Sequence, residues 1–153
     1  LLRLLPGADD RAMAPLVCLE AGQTPDAIRR LAALGGADIG EHLRLSKAQV
    51  VNWITLRDQA AGTTSPSELG YRLGATKAMD VLLLRSALLE QPLLPNLETE
   101  IAFGESAKFP LSARDLMPEI TGKQLGETLK QLESDWITSG FTLTREALLA
   151  NRK

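Results

Sequence analysis

Helix starts and stops recur so densely along this chain that they constrain its fold more than any other feature. Ser46 and Gln49 are spaced as a capping box, in which each side chain can bond the other's backbone N–H, and they open a segment from Lys47 to Ala61 that Gly62 closes. Ser65, Pro66 and Glu68 join a cap with proline at the first helical position, where its missing N–H costs nothing. Thr24 followed by Pro25 reads as a further start, ended by Gly35 and Gly36. Asp9 and Asp10 are placed to cap a helix to about Ala21, before Gly22. Ser112 and Asp115 form another capping box, for a single turn over Arg114 to Met117.

Between these signals the apolar residues recur at helical spacing. Leu125, Leu129, Leu132 and Trp136 step by four, three and four after Gly122, which predicts an amphipathic helix with Lys123, Glu127, Lys130 and Ser134 on or near its other face. Ser139 and Gly140 stop it, and Thr144 caps a last short helix through Ala150. Thr76 to Gln91 is apolar on nearly all sides, so this helix belongs at the centre of a bundle, with Pro92 and Pro95 ending it. In the Lys47 helix, Val50, Trp53 and Ile54 are expected to face the core. Another helix covers about Asn96 to Ala107, and Lys108 to Leu111 reads as an extended connector. The fold class expected is therefore all-α: a multi-helix body over residues 1–105 and a smaller C-terminal helical tail over 106–153. Aromatic residues at 4%, in a chain 44% hydrophobic and rich in Leu and Ala, agree with helices over sheets.

The formal net charge is −2, from 17 basic and 19 acidic residues, so any affinity for nucleic acid must be local. Between Ala27 and Arg57 lie Arg29, Arg30, Arg44, Lys47 and Arg57 against only Asp38 and Glu41. A single cysteine, Cys18, excludes an internal disulfide, and its apolar neighbours predict a buried, inert thiol. The one histidine, His42, cannot build a metal cluster and is expected at the surface. No signal peptide and no apolar run near the ~20 residues of a membrane span is present, which points to a cytoplasmic protein. The apolar opening, Leu1 to Leu5, is expected to pack against a preceding element.

Catalytic patterns are absent from the sequence: no phosphate-binding Walker loop, no zinc spacing, no Ser or Cys nucleophile motif, and no Gly-Gly-Ser loop followed by paired aspartates. Asp9 and Asp10 are adjacent, and a two-metal site needs carboxylates from separate elements facing one point. No catalytic residue, metal ligand or cofactor is therefore expected in the chain itself.

The stretch from Phe109 to Phe141 is the most specific in the chain. Asp115-Leu116-Met117, then Gly122, Leu125 and Gly126, then Trp136-Ile137 followed by Ser139-Gly140-Phe141, resemble the C-terminal motif of bacterial CCA tRNA nucleotidyltransferases and related poly(A) polymerases. Upstream, Arg29-Arg30-Leu31-Ala32-Ala33-Leu34 and Leu43-Arg44-Leu45-Ser46 look like the body of the same enzymes. Ala113 stands where that family usually has Gly, and Lys123 where it usually has Pro. The resemblance implies that this chain holds tRNA, along the acceptor and T arms. It also implies a partner N-terminal catalytic domain outside this chain, which would carry the Mg2+-binding carboxylates and select CTP and ATP.

Two readings of the Gly122 turn remain open. Gly122 and Gly126 leave the first helical turn bare, and free N–H groups at the positive end of a helix suit a phosphate. Lys108, Arg114, Lys123 and Lys130 are candidate phosphate contacts beside it, with Arg29, Arg30, Arg44 and Lys47 as candidates in the body. The same glycines could instead serve close helix-on-helix packing. For the whole chain, a helical protein-interaction or oligomerisation module and a helix-hairpin DNA-binding module (from Gly122-Lys123 and Gly126) are the alternatives to an RNA-holding domain. Whether the product is CCA or poly(A) is a property of the catalytic part.

Overall fold

The computed structural model describes residues 5–117 and 119–151, so the packing expected of the Leu1 to Leu5 opening lies mostly outside the described residues. Among the described residues it is all-α, with ten helices and no strand. The chain divides into two compact units, Leu1–Glu105 and Ser106–Lys153.

The first unit contains α1 (Met13–Leu19), α2 (Ala27–Leu34), α3 (Ile39–His42), α4 (Lys47–Ala61), α5 (Pro66–Leu73) and α6 (Ala75–Leu89), and α7 (Leu97–Ser106) runs to its boundary. α6 is the central helix, packed by α1, α2, α4 and α5. Ala78, Val81, Leu82, Leu83, Leu84 and Ala87 are all buried on it, as expected of a helix apolar on nearly every side. They meet Leu16, Ala32, Ala33, Leu56, Ala60, Leu69 and Ile101 in one core. A second, smaller cluster of Leu5, Leu31 and Ile39 forms beside it, with Trp53 packed against both.

The cap at α4 forms as the sequence predicts. Ser46 accepts from the Gln49 N–H, and the Gln49 side chain accepts from the Ser46 N–H at 2.9 Å. At α5, Ser65 accepts from the Glu68 N–H with Pro66 at the first position. The far end of α4 is closed by Arg85, which donates to the Gln59 and Thr64 carbonyls, each at 2.8 Å. A cation there also meets the negative end of the helix dipole.

Four expectations need correction. α2 is capped by Asp26, whose carboxylate accepts from the Arg29 N–H at 2.7 Å, and not by Thr24. α1 begins at Met13 without a side-chain cap, because Asp9 is spent in a tight turn accepting from the Arg11 N–H and pairing with its guanidinium. On α4 the core face runs through Trp53, Leu56 and Ala60, which turns Ile54 outward at 44% exposure. Cys18 is exposed rather than buried.

α5 and α7 approach so closely that no side chain fits between their backbones. A Cβ at Gly104 would overlap the Ser67 carbonyl, and one at Gly70 would overlap the Ile101 carbonyl. Alanine is the better helix former by ~1 kcal/mol. Gly104→Ala should nevertheless lose about 1–3 kcal/mol, since the overlap is with backbone that must shift. A denaturant titration checks the sign, and a gain in stability would show that the two helix backbones are not in contact.

Candidate nucleic-acid interface

The second unit carries the residues of the Phe109 to Phe141 motif on α8 (Ala113–Leu116), α9 (Gly122–Thr138) and α10 (Arg145–Ala150). α8 is a single turn held by its ends. Ser112 and Asp115 form the predicted capping box, with the Ser112 N–H donating to Asp115 at 2.7 Å. Arg145, at the start of α10, donates to the other Asp115 oxygen at 2.6 Å.

These bonds, first that from Arg145 and then that from the Ser112 N–H, hold the Asp115 carboxyl at about 2, well below the ordinary carboxylate range. A depressed acid stabilises the fold fully above its unfolded value near ~4 and progressively less as pH falls through its folded one. The α8–α10 tie should therefore hold down to about pH 4 and weaken toward pH 2. NMR titration of the Asp115 carboxyl should give the low midpoint, and Arg145→Ala should raise it. An unchanged midpoint in that variant would mean that the ion pair does not form.

α9 is amphipathic as the spacing predicts. Leu132 and Trp136 are buried and Leu125 and Leu129 half-buried, while Lys123, Glu127, Lys130 and Ser134 are exposed. Its C-terminal end explains Trp136, Gly140 and Phe141. The Gly140 N–H bonds the Ile137 carbonyl and the Phe141 N–H bonds the Trp136 carbonyl, the double bond pattern of a Schellman cap. Gly140 takes the left-handed conformation this requires, at φ 71°. Phe141 then lands edge-on against Trp136, with centroids 4.9 Å apart, and Phe109 lies at 5.5 Å. Ser139 contributes by accepting from the Thr142 and Leu143 N–H groups.

The N-terminal end of α9 is open. Thr121 makes no side-chain cap, Gly122 is left-handed at φ 62°, and among the described residues nothing lies within 4 Å of a Cβ built at Gly122 or Gly126. Within the second unit, the described residues make no close helix packing at these glycines. Lys123 and Lys130, two turns apart, share the side of α9 beyond Gly126 and are both exposed. Lys123 also pairs with Glu127 at 3.4 Å, but both side chains are so exposed that the pair is weak and open to competition. Arg114 is exposed on α8, which packs against α9, and Lys108 is exposed on the connector. A shallow cleft on α9, starting beside the Gly122 turn, is lined by Glu127 (the Lys123 partner) and Asp135 as well as Gln124, Gln131 and Asn151, and its acidic groups do not suit an anion.

The body candidates separate into two groups. Arg44 and Lys47 are exposed at the turn from α3 into α4, and Arg44 is itself left-handed at φ 52°. Arg29 is 3% exposed and cannot reach a phosphate. Its guanidinium donates to Glu20 at 2.7 Å, to Asp80, and to the Thr24 carbonyl at 2.9 Å. Arg30 is half-exposed and paired with the same Glu20 at 2.8 Å. Burial by itself would lower the Arg29 pKa, but the hydrogen bonds to Glu20 and Asp80 outweigh it and the net shift is upward. The role expected of Arg29 in RNA binding is corrected to a structural one, joining the end of α1 to α2 and α6.

No family model, curated protein or solved structure matches the chain. Among the described residues, no helix is long and apolar enough to cross a membrane.

Proposed function

We propose that the chain is the RNA-holding C-terminal portion of a cytoplasmic CCA-adding tRNA nucleotidyltransferase or related poly(A) polymerase. In this reading it is not itself an enzyme. It grips tRNA phosphates so that the 3′ end reaches a catalytic domain on another part of the protein, where Mg2+ and nucleotide are bound. The observation that carries the reading is the open start of α9, where Gly122 and Gly126 have no packed neighbour among the described residues and Lys123 and Lys130 are exposed. N–H groups at a helix start, bare backbone and exposed cations together suit a phosphate chain. Such contacts would read helical shape and charge more than base sequence. Lys108, Arg114, Arg44 and Lys47 are accessible for further contacts.

A protein-interaction module is the second reading, favoured by Val51 and Ile54, apolar and exposed on α4. Salt-dependent binding to tRNA and to duplex DNA separates the two. The RNA-holding reading expects binding that weakens steeply with salt and prefers tRNA over the duplex. No binding to either at low salt would favour the protein-interaction reading, and preference for the duplex would favour a DNA-binding module.

A further inference from the structure

We draw no further inference here: the strongest candidate, the apolar surface patch at the C-terminal end of α6 where Leu88, Leu89 and Leu94 stand exposed beside clefts lined by Pro15, Cys18 and Pro92, has nothing in the structure to show what covers it.

Discussion

Arg29→Ala is expected to cost about 3–5 kcal/mol, the range for removing one partner from a buried ion network. The Glu20 side chain is 2% exposed and that of Asp80 11%, so Asp80 would lose its counter-charge while largely buried, and Glu20 would keep only the half-exposed Arg30. Asp80 makes the effect pH-dependent. Burial already raises its pKa, and Arg29 partly offsets the rise, so removing Arg29 should push it higher. A raised acid favours the fold at low pH and loses that contribution as pH rises through its folded value. The deficit of Arg29→Ala should therefore be largest near neutrality and shrink in acid. Denaturant titrations at two pH values measure it. Replacing Glu20, Arg29 and Asp80 together by apolar residues of similar size should recover much of the loss, because no buried charge then remains. A single-variant deficit below about 1 kcal/mol at neutral pH would contradict the buried network.

Trp136→Ala should cost the second unit about 3–5 kcal/mol, the usual range for a buried aromatic cut to alanine. The ring is 4% exposed and sits between Phe109 and Phe141, so truncation removes two aromatic contacts and leaves a cavity. It also takes away the surface on which Phe141 closes the Schellman cap. Amide hydrogen exchange along α9 reports this locally, with protection expected to collapse. Near-normal protection, equivalent to a loss below about 1 kcal/mol, would mean that the indole is not seated in the core.

What could be read from sequence was set by local chemistry. The starts of α4, α5 and α10 and the stripe of α9 depend on groups a few residues apart, so spacing alone displays them. The start of α2 was harder, because Thr24, Pro25 and Asp26 can all open a helix. The choice of Asp26 goes with Thr24 giving its carbonyl to the Arg29 guanidinium, a tertiary contact. Distance in sequence hid the rest. Asp80 lies 51 residues from Arg29 inside an apolar helix, and Gly70 and Gly104 meet each other's helices across α5 and α7. Ile54 faces outward because α4 carries apolar residues around its whole circumference, so periodicity could not choose its core face. In the candidate interface, exposure of Lys123 and Lys130 was legible from the α9 stripe. The fate of Arg29 was not, since a basic residue on an amphipathic helix looks the same whether it meets solvent or a buried carboxylate.

The proposed RNA-holding role is tested most directly by titrating tRNA binding against salt for the chain and for its Lys123→Ala/Lys130→Ala double variant. Each cation on a phosphate releases a counterion on association. The double variant should bind tRNAs of different sequence more weakly by a similar factor, with a log–log salt slope shallower by about 0.7–0.9 per lost contact. Unchanged affinity together with an unchanged slope would contradict a phosphate grip at the start of α9.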